Sequence, residues 1–338
     1  MCKAWSSFVN MVWNKEVQAM EQSLFQSCVE FITYRDICRQ DFLWTAYRQV
    51  FPVCAYIYMN HRTEPNSEMT KLCKEILREN NGLFSAFRSN GEPIFVSMLA
   101  TEEDPGMKMD AAQVAYTHLR NYFMASAYLP FLAMVMPDMM PVNQFDRFAS
   151  ETRQLYDEMN RQHTFLTGSE DVIFAGLLCM NRERDYREVV DEMEYLYANL
   201  KDTGVFHRNA MQSLSHALVL CQGSAQKKYN NLQELCYMLK SSGIKYGKDY
   251  EMIPLGILAN VGIDLETVCN DLIEVYDFLE KENGYGFFGF GKTARLMHAS
   301  MILCAYYSPG IIELSSAVII SVLLEIQQQQ AAQAAAAA

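Results

Sequence analysis

The stretch Asn209-Ala-Met-Gln-Ser-Leu-Ser-His-Ala-Leu-Val-Leu-Cys221 contains the pattern that decides the fold. Its last nine residues align without gaps with five other stretches of the chain, which are EPIFVSMLA from Glu92, AYLPFLAMV from Ala127, DVIFAGLLC from Asp171, EMIPLGILA from Glu251 and LMHASMILC from Leu296. The six windows begin 35 to 45 residues apart. A spacing in this range is typical of an array built from one supersecondary unit.

Two columns of this alignment indicate how the units pack. The eighth position is always large, as Leu99, Met134, Leu178, Leu220, Leu258 and Leu303, and the ninth is always small or slim, as Ala100, Val135, Cys179, Cys221, Ala259 and Cys304. Large side chains fill the space between units, whereas small ones let backbones approach. One unit cannot bury this surface alone, so the pattern predicts stacked units with a continuous core.

A longer amphipathic segment follows each apolar window. After the third window, for example, Val189, Met193, Leu196 and Leu200 recur at three- and four-residue steps, which predicts a helix with one buried stripe. No stretch alternates apolar and polar residues as a sheet would require. The sequence therefore predicts an all-α protein of helical-hairpin repeats, either an α-solenoid or a closed α/α toroid.

The same patterns divide the chain into three parts. Residues 1–82 are predicted to form an N-terminal helical cap, and residues 83–326 a repeat region of about six units that packs on the cap as one body. Residues 327–338 form a Gln/Ala tail of low complexity, which either extends the last helix or is disordered.

Composition and charge exclude several classes of function. The net charge of −12 argues against a nucleic-acid partner, because such proteins need clustered cations. The ten cysteines show no CxxC pair or zinc-ligand spacing, so we expect reduced core cysteines and no metal. The N-terminus has no apolar signal-peptide run, and the apolar run from Leu314 to Leu324 is too short to span a bilayer. These features predict a cytoplasmic protein without a membrane partner.

The segment Gly286-Phe-Phe-Gly-Phe-Gly-Lys-Thr293 matches the P-loop pattern GxxxxGK[ST]. In a P-loop, backbone amides and Lys292 would hold phosphates, and Thr293 would hold magnesium. A P-loop follows a strand, however, and this segment follows an amphipathic helical pattern at Leu272–Glu282. We therefore expect Gly286, Gly291, Lys292 and Thr293 to form a packed turn between units, with no cofactor. Nucleotide binding is the alternative.

His216 is the residue that the repeat does not explain. It occupies the fourth column of its window, where the other windows have Phe95, Pro130, Phe174, Pro254 and Ala299. A lone histidine in an apolar column is most often a hydrogen-bonded core residue. The alternative is a groove where His216 meets His163, Asp171, Gln212 and Arg295, and where acid–base chemistry or ligand binding takes place.

Two arginines are further binding candidates. Arg88 and Arg295 would be costly to bury without a partner, so structural pairing with carboxylates or helix-end carbonyls is the favoured interpretation.

Several motifs carry a resemblance to a known family. They are Gly82-Leu-Phe-Ser-Ala-Phe-Arg88, Met159-Asn-Arg-Gln-His-Thr-Phe-Leu-Thr167, Asn209-Ala-Met-Gln-Ser-Leu-Ser-His216 and Tyr246-Gly-Lys-Asp-Tyr250. In these motifs, and over most of residues 40–307, the chain resembles the domain-of-unknown-function four-thousand-and-three family, which comprises uncharacterised helical proteins found mainly in Firmicutes. The resemblance implies an intracellular bacterial setting and a single helical body. It implies no activity, cofactor or partner.

The leading hypothesis is a helical-repeat binding or scaffold protein. Stacked helical pairs generate extended concave surfaces, so we expect a peptide, protein or small-molecule ligand on the concave face or in a central cavity. The alternative is an enzyme whose cavity site surrounds His216 and His163. The sequence leaves the oligomeric state open.

Overall fold

The computed structural model contains fifteen α-helices and no strand within the residues that it describes. These residues are 20–42, 48–80, 82, 86–88, 91–162, 168–180, 185–201, 207–245, 249–285 and 289–337. The prediction of an all-α fold is confirmed.

The first fourteen helices alternate between an outer and an inner layer. The outer helices are α1 (Gln22–Asp41), α3 (Ser67–Asn80), α5 (Pro105–Tyr122), α7 (Phe145–Gln162), α9 (Tyr186–Leu200), α11 (Ala225–Ser241) and α13 (Leu265–Lys281). The inner helices are α2 (Val50–Asn60), α4 (Glu92–Ala100), α6 (Leu129–Met139), α8 (Asp171–Met180), α10 (Arg208–Leu220), α12 (Met252–Leu258) and α14 (Lys292–Tyr307). The last helix is α15 (Ile312–Ala337).

Both layers close into rings. Each inner helix packs against the next inner helix, and α14 packs against α2. Each outer helix likewise packs against the next, and α13 packs against α1. Of the two architectures left open by the sequence, the closed ring is therefore the one observed.

The six sequence windows all fall on inner helices, and the structure adds a seventh. This is α2, which lies in the region assigned to the N-terminal cap. Among the described residues the array thus has seven inner helices, where the sequence predicts about six units. Two of the three described helices of the cap, α1 and α2, join the two ends of the array.

Local sequence explains the difference between the layers. The inner helix α8 is buried at every position from Asp171 to Cys179, because it has outer helices on one side and α15 on the other. The outer helices bury one stripe only, which in α9 includes Val189, Met193 and Leu196. Five outer helices begin with a side chain that accepts a backbone amide hydrogen bond, and these N-caps are Asn66, Asp104, Asp185, Ser224 and Asp264.

The C-terminal helix α15 fills the axis of the ring. It contacts the inner helices α2, α8, α10, α12 and α14, and the side chains from Ser315 to Val322 are all buried. It starts where the inner helices end, since the Gly310 N–H donates a hydrogen bond to Asn60 Oδ1 at the end of α2 (3.2 Å). The central space in which a ligand was expected is therefore occupied by the chain itself.

The direction of α15 defines two faces of the ring. The inner helices all begin at one end, here called the N-terminal face, and all end at the C-terminal face. From Ile312 to Ile326, α15 runs back through the ring over roughly 22 Å, at 1.5 Å per residue. The helix continues to Ala337, so the Gln/Ala tail extends it. No described helix is both long enough and apolar enough to cross a membrane.

Candidate functional site

A buried carboxylate at the N-terminal face organises the candidate site. Asp171 is the first residue of α8 and is 2% exposed. Its Oδ2 accepts a hydrogen bond from the Gly168 N–H (2.8 Å), and the positive end of the helix dipole favours its negative charge. The local sequence thus places an ionisable side chain in the interior.

Two side chains from the neighbouring inner helix α10 meet this carboxylate. Gln212 and His216 lie four residues apart, so they project from the same side of α10. Gln212 Nε2 donates a hydrogen bond to Asp171 Oδ2 (3.3 Å), and His216 Nδ1 lies 3.3 Å from Asp171 Oδ1. The imidazole also packs on the Phe174 ring, with 5.4 Å between ring centroids. Three of the residues predicted to share a site are therefore in contact.

The hydrogen bonding of this trio is incomplete. Gln212 Oε1 and His216 Nδ1 are buried polar atoms without a hydrogen-bond partner among the described residues. The His216–Asp171 approach has the distance of an ion pair but lacks the alignment of a hydrogen bond. Because a carboxylate only accepts, the Gln212 amide must turn its NH₂ group toward Asp171. Its carbonyl oxygen is thereby fixed as a buried acceptor that faces no donor.

Three further residues surround the trio. Burial raises the pKa of Glu170, the adjacent Asp171 raises it further, and His216 lowers it. Burial also raises the pKa of Tyr250 to about 12, and Glu170, Asp249 and Asp171 add to the effect. The pKa of Tyr128 is raised by burial and then by Glu170 and Tyr250. Glu170 and Asp171 raise the pKa of both tyrosines, so both hydroxyl groups lie within range of these charges. Glu170, Asp171, Gln212, His216, Tyr128 and Tyr250 are together called the Asp171 cluster.

The chemistry of the Asp171 cluster suits a hydrogen-bond donor of positive charge. It combines two carboxylates, an acceptor that faces no donor and aromatic rings, whose faces attract cations. The Asp171–His216 contact is also the kind of pairing that orients an imidazole for proton transfer. Nowhere in the described chain do three or more His, Cys, Asp or Glu side chains gather closely enough to hold a metal ion.

The other predicted site residues lie apart from the cluster or outside the described residues. Arg295 faces the outer helix α13, where its guanidinium bonds Glu280 (2.8 Å) and stacks on the Tyr276 ring (3.8 Å to the centroid). Arg88 ends a half-buried 3₁₀ turn, Ala86–Arg88, shortly before α4. His163 lies outside the described residues, and so does Gly286.

The described part of the P-loop lookalike is a turn between two helices. It leads from α13 to α14, and Gly291, Lys292 and Thr293 form the exposed first turn of α14. Phe290 packs on His298 with 4.8 Å between ring centroids, and the Gly289 carbonyl accepts a hydrogen bond from Arg48 (2.9 Å). A helix thus stands where a phosphate-binding loop requires a strand.

The sequence analysis missed Glu170, Tyr128 and Tyr250, although the alignment contained a signal for two of them. The column just before each window holds Glu170, Gln212, Tyr250 and Arg295 in the last four units. Because the inner helices run in the same direction, this column lies at the N-terminal face. Polar and aromatic residues there mark the edge of the apolar windows.

Comparison with known proteins gives one match. The model of a family described as protein of unknown function (DUF4003) matches residues 33–331 of the chain. Neither a curated protein nor a solved structure matches it.

Proposed function

The chain belongs to the DUF4003 family of proteins of unknown function, as its motifs predict, and from that premise we propose that it binds a small amine in the Asp171 cluster. The observation that carries the proposal is the buried Gln212 Oε1, an acceptor that faces no donor among the described residues. Buried polar groups in native proteins almost always have a partner. A bound ligand that donates to this oxygen would supply one.

The charge of the cluster favours a protonated amine over other donors. An ammonium group has three donors and no acceptor, and Asp171 lies beside Gln212, with Glu170 close enough to Asp171 for the two charges to interact. Tyr128, Tyr250 and Phe174 add aromatic side chains near the two carboxylates, and aromatic rings are a residue type whose faces attract cations.

Burial favours a small ligand over a protein or peptide. Asp171 and Gln212 are each 2% exposed, so a macromolecular surface would not reach them. Asp171, Gln212 and His216 also lie on inner helices of a closed ring. Their positions are therefore fixed before binding, which limits the entropy that is lost when a ligand binds.

The proposal is tested by thermal denaturation with three ligands of equal length. At about 10 mM, putrescine is expected to raise the melting temperature by several degrees. If this concentration is 100 times Kd, binding stabilises the folded state by roughly 2.7 kcal/mol. The neutral 1,4-butanediol and the anionic succinate should give less than a third of that shift. Equal shifts for all three ligands, or none for putrescine, would contradict the proposal.

Two variants locate the site. Gln212→Leu removes the orphaned acceptor at similar volume and should abolish the putrescine shift. Gln26→Leu makes the same change on the exposed surface of α1 and should retain it. A full putrescine shift in Gln212→Leu would rule out the Asp171 cluster as the site.

A further inference from the structure

A second, separate site lies at the C-terminal face. A cavity of about 690 Å³ opens there between the ends of α8 and α10, the turn after α12 and the start of α15. Its volume lies in the range of small-molecule sites, about 300–1,000 Å³. The Asp171 cluster lies at the opposite ends of the same inner helices.

The cavity is apolar inside and reaches solvent at its rim. Leu177, Leu178 and Val219 line it and are at most 5% exposed. Val261 and Leu314 form half-buried walls, and the rim includes exposed side chains. A ligand with an apolar body and a polar end would therefore bury the body and leave its end near the rim.

The one described charge at the cavity is negative. Glu313 is the one charged residue among the described residues that line it, and it belongs to the first turn of α15. The helix dipoles add little net charge, because the C-termini of α8, α10, α12 and α14 meet the N-termini of α9, α11, α13 and α15 at this face. Nearby Lys228 does not offset Glu313, because it bonds Glu192 Oε1 (2.6 Å) and the Val219 carbonyl (3.3 Å) and is 1% exposed.

We infer that this cavity binds a cationic amphiphile, a single alkyl chain with an ammonium head. The apolar interior takes the chain, and the head lies near Glu313, where its charge is favourable. A fatty-acid carboxylate of the same length would meet like charge at the same place. Since one wall belongs to α15, the ligand would pack directly against the helix that fills the ring.

The full-length chain is tested with N-phenyl-1-naphthylamine, a neutral arylamine that fluoresces in apolar sites. Its fluorescence should increase and saturate near one equivalent. Decyltrimethylammonium should then displace it at concentrations at least 10-fold lower than decanoate, which has a similar chain and the opposite charge. Quaternary ammonium has no N–H donor, so this probe does not satisfy the orphaned acceptor of the Asp171 cluster.

Matched variants assign the binding to this cavity. Val261→Trp narrows the cavity and should weaken arylamine binding at least 10-fold, whereas Met124→Trp adds the same bulk at a position 89% exposed and should change nothing. Glu313→Gln should reduce the preference for the cation at least 3-fold, and Glu68→Gln on the surface of α3 should leave it unchanged. Gln212→Leu should bind both probes normally.

Three results would overturn the inference. They are the absence of saturable fluorescence, displacement by decanoate at concentrations equal to or lower than those of decyltrimethylammonium, and unchanged arylamine binding in Val261→Trp. Each is independent of the outcome with putrescine, because the two sites lie at opposite faces.

Discussion

The two buried histidines of the inner helices show what distinguishes the Asp171 cluster. His298 in α14 has its Nδ1 2.7 Å from the Tyr285 hydroxyl, and its ring packs against Phe290 and Phe31. His216 in α10 packs against Phe174 but has no aligned partner for Nδ1 among the described residues. His298 thus fits the interpretation of a satisfied core histidine, which the sequence favoured for His216. The two histidines differ in the residues that neighbouring segments place beside them. The sequence pattern does not show which residues these are.

His298 should make stability depend on pH. Burial and the nearby Arg35 lower its pKa from 6.5 to about 3, so the folded state keeps it neutral where the unfolded state binds a proton. The contribution of neutral His298 to the free energy of unfolding is complete above pH 6.5. It is lost as the pH falls toward 3, by at most about 1.4 kcal/mol per pH unit. Urea unfolding at pH 7, 6, 5 and 4 measures it. His298→Gln should lose less stability over this range than the wild type. Equal slopes of stability against pH in the two proteins would contradict the assignment.

Close helix-to-helix contact in the inner ring depends on glycine, as Gly176 shows. A Cβ on Gly176 of α8 would lie 2.7 Å and 2.8 Å from the two methyl carbons of Leu132 in α6. Because both branches of the leucine are in the way and its side chain is fully buried, relief requires a new χ1 rotamer inside a packed core. Gly176→Ala should therefore lower the free energy of unfolding by about 1–3 kcal/mol, although alanine favours helices.

Gly291→Ala is the control for this prediction. No atom lies within 4 Å of a Cβ at Gly291, and its φ of −68° is ordinary. Because Gly291 is the N-cap of α14, where alanine is less favourable than glycine, the change should lower the free energy of unfolding by at most about 1 kcal/mol, less than Gly176→Ala. Chemical denaturation of both variants decides the point, and a neutral Gly176→Ala would mean that α6 and α8 are farther apart than described.

The sequence predicted six of the inner helices because their large and small columns report the contacts between neighbours. It predicted a helical cap in residues 1–82 but did not identify α2 as a seventh inner helix, because Tyr56 and Tyr58 put large buried side chains near its end, where each window ends on a slim residue. Asp171, Gln212 and His216 were predictable as departures from an apolar pattern. The contact between these three side chains was not predictable. It depends on α8 and α10 running in the same direction and on their relative positions along the helix axes.

At the scale of the whole molecule, closure of the ring explains the role of α15. Inner helices such as α8 and α12 are apolar all round, so a ring of them alone would expose apolar surface toward its axis. The apolar run of α15 buries this surface, although the sequence pattern did not indicate where the run packs. The occupied axis leaves the two ends of the ring as the places for ligands.

Closure also predicts how the protein unfolds. An open array can lose its terminal helices first, because each unit contacts only its neighbours. In the closed ring, α1 packs on α13 and α2 packs on α14, so the first helices are held on both sides. Phe31→Ala in α1 and Phe148→Ala in α7 remove fully buried rings at distant points of the chain. Each should lower the free energy of unfolding by about 3–5 kcal/mol and preserve a single transition.

Urea unfolding followed by circular dichroism, with hydrogen exchange of α1 and α8 as local readouts, measures this effect. Both helices should lose protection together in either variant, because unfolding at one point opens the ring as a whole. Tyr237→Ala, at a position 72% exposed on α11, is the control and should cost less than about 0.5 kcal/mol. An early transition confined to α1–α3 in Phe31→Ala would show instead that the contacts of α1 with α13 and of α2 with α14 contribute little, and that the array behaves as an open stack with a free end.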